Sequence, residues 1–187
     1  MKEKIGLLTI HDTINYGSLL QTFATYTAIK KLGYEVEVID YKCKAICERE
    51  TTYSLSETKK ASDIVKWFLW HKKLKEKKDN FDSFARNEMK LSSTSYEQDN
   101  IKDTNDIYKT FIVGSDIVWG MNITGNDFTY FLDFTEENKN RISFSSSIGT
   151  AWEQQFITDI KRNLLRFDNI RVREQLAAEW VTETIDR

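Results

Sequence analysis

The chain contains no proline. Average usage near 5% would place roughly nine in a chain of this length, so proline-rich linkers are excluded, and nothing else in the sequence accounts for the absence. Cysteine is nearly as scarce. Cys43 and Cys47 stand four apart with no second pair, which excludes a disulfide framework and the four ligands of a structural zinc site. Two free, reduced thiols in a cytoplasmic protein are the expectation. No charge prevails either: 27 Lys and Arg face 29 Asp and Glu, for a formal charge of -2. The general attraction to a phosphate backbone therefore has no source, and nucleic acid is set aside as a partner. No apolar run approaches the ~20 residues of a transmembrane helix, and the apolar part of the opening MKEKIGLLTIHDT is too short for a signal peptide. The glycine fingerprints G-x-G-x-x-G and G-x-x-x-x-G-K-[ST] are both missing, so a nucleotide cofactor is not supported. There is no internal repeat and no low-complexity tract.

What remains is a chain of 187 residues with 40% hydrophobic, 30% charged and 13% aromatic side chains, enough to build the core of one domain over 1–187. KIGLLTI (4–10) is a short, almost wholly apolar run, as in a strand buried on both faces. Ser18 to Leu32 lacks strand alternation and ends in Lys30, Lys31 and Gly33, the charge and stop signals of a helix C-terminus. Its apolar residues spread around the helix, which predicts cover on more than one side. EVEVID (35–40) alternates and completes a strand, helix and strand of βαβ size.

Ala61, Ile64, Val65 and Phe68 recur at helical spacing, followed by the charge run HKKLKEKK (71–78), read as a solvated helix face. YKTFIVGSD (108–116) and RISFSSSIG (141–149) read as strands that deliver small polar loops at their carboxyl ends. DFTYFLDF (127–134) is expected as a further strand, 152–166 as an amphipathic helix, Asn169 to Val172 as a last strand and Glu174 to about Thr184 as a helix. Strands alternating with helices predict an α/β, Rossmann-like, doubly wound and mainly parallel sheet.

In such a sheet ligands bind beyond the carboxyl ends of the strands. HDTINYG, GSDIVWG and SSSIGT fall there. Backbone N–H groups near Gly17 and Ser18 could face an anion at a helix start; equally, Gly17 suits close helix–loop packing and Asn15 a turn or cap. His11, just beyond the first strand, is either a proton donor at a cleft or a hydrogen-bonded loop histidine, and His71 in the charge run is the weaker of the two histidines. Asp116 follows Gly114 and Ser115, where its carboxylate can reach a substrate hydroxyl or cap the next turn. Trp119 can stack on a sugar ring or fill the core.

These segments together resemble a known family. KIGLLTIHDTINYGSLLQTFATYTAIKKLGYEVEVIDY is similar to the opening of the polysaccharide pyruvyl transferases, which carry Asn-Tyr-Gly, Leu-Gln, Lys-Leu-Gly and Asp-Tyr in this order. Here these are Asn15, Tyr16 and Gly17, Leu20 and Gln21, Lys31 to Gly33, and Asp40 with Tyr41. FIVGSDIVWG resembles the family's Val-Gly-Ser-Asp-Gln-x-Trp-Asn, RISFSSSIG its Arg-Ile-Ser-Tyr-x-x-Ser-x-Gly, and RVRE (171–174) its Ser-x-Arg-Glu. Two positions depart: Ile117 stands where Gln is usual and Gly120 where Asn is usual, so two amides able to bond a sugar are missing from that block.

The resemblance implies transfer of an enolpyruvyl unit from phosphoenolpyruvate to two hydroxyls of a cell-surface or exopolysaccharide sugar, giving a cyclic ketal and phosphate. It implies no cofactor and no metal. Family members are usually about twice this length, with two Rossmann-like halves arranged as in GT-B glycosyltransferases, so the chain is expected to supply the N-terminal, acceptor-side half and to lack the C-terminal donor-binding half. By the same resemblance His11 and Asp116 are the catalytic candidates. Asn15, Tyr16 and Gly17 shape the cleft floor, Trp119 stacks on the sugar, and Gln21, Ser115 and Arg173 complete the substrate-binding set. A homo-oligomer, or a separate chain carrying the donor half, is the expected protein partner. The alternatives are a noncatalytic carbohydrate-binding or interaction domain and, more distantly, a nucleotide-sugar glycosyltransferase half.

Overall fold

The computed structural model describes residues 3–51 and 61–186, without the side chains of 50, 51 and 61–70. Six strands, β1 (Lys4–Leu8), β2 (Glu35–Tyr41), β3 (Leu91–Tyr96), β4 (Thr110–Gly114), β5 (Asn140–Ser146) and β6 (Asn169–Val172), form one sheet in the order β3-β2-β1-β4-β5-β6. Every pair is parallel. Among the described residues six helices accompany them: α1 (Tyr16–Lys31), α2 (Lys44–Thr51), α3 (Ala61–Glu88), the single turn α4 (Met121–Thr124), α5 (Ile157–Leu164) and α6 (Gln175–Ile185). This is the expected Rossmann-like, doubly wound sheet.

The two-residue period of the central strands divides the core. Leu7, Val38 and Ile112 point to one face, where Leu19, Tyr26 and Ile29 of α1 and Phe81 and Ala85 of α3 cover them. Leu8, Ile39 and Val113 point to the other, under Trp119, Tyr130, Phe131, α5 and α6. Both faces are therefore apolar, and β1 reads as a nearly continuous apolar run because it lies at the centre of the sheet.

α1 begins at Asn15, whose side chain accepts from the backbone N–H of Gly17 at 2.8 Å and of Ser18 at 3.4 Å, the ordinary work of an N-cap. It stops at Gly33, which takes φ +88°, a conformation open to glycine without strain. Its cover is narrower than its composition suggests, since Tyr16, Leu20 and Leu32 remain exposed.

β2 is the strand expected over 35–40, and Val36 to Tyr41 are all buried, because it lies inside the sheet with cover on both faces. Its Glu37 is compensated by Lys4 at 2.8 Å, Lys90 at 2.9 Å and the Tyr108 hydroxyl at 2.8 Å. The segment 127–134 is not a strand but a 3-10 turn, Phe128–Phe131, capped by Asp127 through the Thr129 N–H and ended by Leu132 at φ 55°. Its rings enter the core instead of a sheet ladder. The helix expected over 152–166 is a 3-10 turn, Gln154–Phe156, followed by α5; Trp152 stays outside and donates from Nε1 to the Trp119 carbonyl at 2.9 Å. The spacing of Ala61, Ile64, Val65 and Phe68 falls in the opening turns of α3, whose side chains lie outside the described residues. β3 and α2 were not foreseen: LSSTSY carries little apolar signal, and KAICERET is too short to show a helical period.

Candidate active site

The strand order reverses between β1 and β4, and at such a switch point the loops leaving the two strands part and open a crevice. Here the crevice has a volume of about 600 Å³ and is lined by Thr13, Asn15, Tyr16 and Ser18 after β1, and by Asp116 and Ile117 after β4. Arg49 from α2, Lys77 from α3 and Ile123 from α4 close its remaining sides, with Ile10, Ile14 and Ile46.

The β4 loop is built from conformations that few residues tolerate. Gly114 takes φ +135°, and a Cβ there would meet the Phe144 carbonyl oxygen at 2.2 Å. Ser115 follows at φ 65°, held by a 2.6 Å hydrogen bond between its hydroxyl and that of Thr25 in α1. This pair of unusual residues turns Asp116 toward the crevice. One carboxylate oxygen, Oδ1, accepts from the Ile117 N–H at 2.7 Å. The other, Oδ2, accepts from Gln21 Nε2 at 3.4 Å, and the same amide nitrogen donates to Thr9 Oγ1 at 3.1 Å. Gln21 Oε1 is buried with no partner among the described residues. Among the described residues, Asp116 is the one carboxylate on the lining.

A chain of hydrogen bonds runs on from Asp116 along the carboxyl ends of the strands. Ser147 N donates to the Asp116 carbonyl at 2.8 Å. The Ser147 hydroxyl donates to Glu174 Oε1 at 2.8 Å and accepts from Arg173 Nη2 at 3.1 Å. Four sequence blocks far apart in the chain therefore meet at one end of the sheet: the β1–α1 loop, the Gly-Ser-Asp loop, the serine run after β5 and the Arg-Glu pair after β6.

Other candidates are placed elsewhere. His11 is 5% exposed; its Nε2 lies 3.0 Å from Asp40 Oδ1 and its Nδ1 3.4 Å from the Thr9 carbonyl. It sits behind the crevice, in a charge network that ties β1, β2, β3 and α3 together. Lys42 bridges Asp40 at 2.8 Å and Asp12 at 2.9 Å, Lys78 reaches Asp12 at 2.8 Å, and Ser95 donates to Asp40 Oδ2. Burial alone would raise the Asp40 pKa, but the bonds from His11, Lys42 and Ser95 outweigh it and hold the carboxyl well below its ordinary range. Asp12 is likewise lowered, with burial overcome by Lys78 and Lys42. His11 is therefore buried and ties the loop after β1 to β2.

Trp119 is 0% exposed, stacks on Phe131 with ring centroids 5.5 Å apart, and donates from Nε1 to the Tyr130 carbonyl at 2.9 Å. It fills the core and presents no face to a sugar. Tyr16, by contrast, is 64% exposed at the mouth of the crevice. Ser115 is buried against α1 and Gly17 lies in the first turn of that helix, where a Cβ would meet the capping oxygen of Asn15 at 3.1 Å. Arg173 is paired with Glu174 at 2.7 Å.

Sequence reading missed Arg49, Lys77 and Glu174. Lys77 belongs to the charge run read as solvated, yet Phe81 and Ala85, at i+4 and i+8 from it, are buried, and that spacing was the available signal of an inward-facing edge. Among the described residues no three His, Cys, Asp or Glu side chains gather as metal ligands would, and no helix is long and apolar enough to cross a membrane.

No curated protein and no solved structure shows significant similarity to the chain. A family model described as polysaccharide pyruvyl transferase matches residues 15–185, which takes in Asn15, Tyr16 and Gly17, the Gly-Ser-Asp loop, the serine run and the Arg-Glu pair. The chain belongs to the polysaccharide pyruvyl transferase family.

Proposed function

We propose that the domain forms the acceptor side of a pyruvyl transfer from phosphoenolpyruvate to two hydroxyls of a saccharide in the cytoplasm. Protonation of the donor at C3 leaves a cation-like C2; a sugar hydroxyl attacks C2 as its proton is removed, the second hydroxyl replaces phosphate, and a cyclic ketal results. Asp116 is the base in this scheme, since a carboxylate held by two donors keeps a fixed lone-pair direction toward an incoming hydroxyl. Tyr16 takes the apolar face of the sugar ring in place of Trp119, and Asn15, through its cap, holds the loop that carries Tyr16. The donor is held chiefly by a second Rossmann-like half in a GT-B-like arrangement, either on the same polypeptide or on another chain.

The observation that supports this reading most is the position of Asp116, turned into a switch-point crevice by Gly114 and Ser115 and oriented by Gln21 and the Ile117 N–H. The test is phosphate release from phosphoenolpyruvate in the presence of candidate oligosaccharides, with and without added donor-half protein. Asp116→Asn abolishes the release if Asp116 is the base. Unchanged release in that variant removes Asp116 from the mechanism.

A second reading, a noncatalytic saccharide-binding domain, is favoured by Ile117. Its side chain occupies the space beside Gly120, where a Cβ would meet Ile117 Cγ1 at 2.9 Å, and beside Gly149, where a Cβ would meet Cδ1 at 2.4 Å. Apolar packing therefore stands where the family usually carries two amides. Saccharide binding without phosphate release under every condition would select this reading.

A further inference from the structure

We infer that the switch-point crevice selects a 6-deoxy acceptor sugar, one with a methyl group where common hexoses carry a hydroxymethyl group, through an apolar patch of Ile10, Ile46, Ile117 and Ile123. This selection rests on the acceptor-side reading given above, and it names the substrate class that the proposed transfer leaves open.

The four isoleucines reach the crevice from four segments of the chain: the loop after β1, α2, the loop after β4, and α4. Ile10 and Ile46 are buried members of the apolar cluster that contains Val118 and Trp119, and Ile117 and Ile123 pack against that cluster. The crevice therefore cuts into the end of the core, and hydrocarbon faces the ligand there. Its uncharged polar lining comes from elsewhere, from Thr13, Asn15 and Ser18 at the start of α1. A crevice with one apolar side and a few placed polar groups orients a ligand that is itself divided in this way.

Ile117 directly follows Asp116, and both line the crevice. A sugar whose hydroxyl meets the Asp116 carboxylate thus brings a neighbouring carbon toward Ile117. The isoleucine is confined: a Cβ at Gly120 would meet its Cγ1 at 2.9 Å, and one at Gly149 would meet its Cδ1 at 2.4 Å. It presents a preformed surface, so a ligand does not have to order it. Across the crevice mouth, Arg49 donates from Nη2 to the Ile123 carbonyl at 2.7 Å, which fastens α2 to α4 and fixes Ile46 and Ile123 as neighbours.

An exocyclic hydroxyl placed against these side chains gives up water and gains no partner from them. A methyl group in the same place loses nothing and buries apolar surface. Discrimination of this kind by an apolar pocket is worth about tenfold to a hundredfold.

The test is titration of the full chain, followed by amide chemical shifts, with three pairs of methyl glycosides that differ only at C6: L-fucose and L-galactose, D-fucose and D-galactose, L-rhamnose and L-mannose. The 6-deoxy member of at least one pair is expected to bind about tenfold more tightly than its hydroxylated partner and to shift the amides of Ile117 and Ile123. The ratio is expected to fall toward one in Ile117→Gln and in Ile123→Thr. The second variant adds a hydroxyl at a partly exposed position and leaves Ile117 in its place between the two glycines. The exposed control Lys102→Gln is expected to keep the ratio. Equal binding within every pair overturns the inference, as do tighter binding of the hydroxylated members, absence of saturable binding by all six sugars, and an undiminished preference in both isoleucine variants. A 6-deoxy preference without phosphate release from phosphoenolpyruvate leaves the selection standing and removes the transfer. Release at equal rates with both members of every pair removes the selection and leaves the transfer.

Discussion

Gln21 donates from Nε2 to Asp116 Oδ2 across 3.4 Å, joining two residues 95 positions apart in the chain. The bond spans the switch point, from a helix that leaves β1 to the loop that ends β4. It couples the orientation of the Asp116 carboxylate in the crevice to the placement of α1. In pyruvyl transfer, Gln21→Ala is expected to lower kcat by about tenfold, and Asp116→Asn by at least ~100-fold, because removing an orienting contact costs less than removing the base. Steady-state phosphate release measures both. Equal losses in the two variants would place Gln21 in direct contact with substrate.

Asp40 predicts an acid limit to stability. Its pKa is depressed in the folded chain from the ordinary 3.8, despite burial, by His11, Lys42 and Ser95. A depressed carboxyl stabilises the fold above its unfolded pKa, and that contribution drains away as the pH falls below about 4 toward the folded value. Asp40→Asn is therefore expected to be less stable than the unsubstituted chain at neutral pH, with a smaller loss between pH 4 and pH 2. Urea unfolding at a series of pH values gives the comparison. Asp40→Ala, which leaves Lys42 and His11 facing a gap, is expected to cost about 3 kcal/mol at pH 7.

Trp119 is fully buried where a sugar-stacking ring was expected, while the ring of Tyr16 is exposed. Trp119→Ala removes a fully buried indole and its bond to Tyr130, and is expected to lower stability by about 3–5 kcal/mol. Tyr16→Ala, at an exposed ring, is expected to change stability by less than about 1 kcal/mol and to weaken saccharide binding about tenfold, the order of one lost stacking contact. Thermal unfolding and calorimetric saccharide titration separate the two effects.

Gly114→Ala tests the loop that aims Asp116. The new methyl group would lie 2.2 Å from the Phe144 carbonyl oxygen at a φ that side chains rarely adopt. A destabilisation of more than about 2 kcal/mol is expected, together with changed amide shifts at Ser115 and Asp116. A variant as stable as the parent would show that the loop has another conformation of nearly equal energy.

The strands and helices were legible where one local signal sufficed. β1 is an apolar run at the centre of a parallel sheet, α1 is bounded by Asn15 and Gly33, and β6 has the bounds that its residues suggest. Aromatic segments misled. FTYF has the composition of a strand, yet the Asp127 cap and the left-handed Leu132 curl it into a turn that delivers Tyr130 and Phe131 to the core. Glu37 and Asp40 interrupt the apolar pattern of β2, and nothing nearby in sequence announces that Lys4, Lys90, Tyr108 and His11 will meet them.

The site divides in the same way. Sequence by itself determined the family, the βαβ opening and the fact that polar blocks follow the strands, because these depend on residue order and short-range periodicity. Tertiary structure alone decided that the Asn-Tyr-Gly, Gly-Ser-Asp, serine and Arg-Glu blocks form one connected edge. It also decided that His11 turns inward to Asp40 while Tyr16 stays outside, and that Arg49 and Lys77 face the crevice. The physical reason is that backbone periodicity tells which way a side chain leaves its own element. What it meets there is set by the parallel crossovers that bring β1 and β4 side by side from opposite halves of the chain.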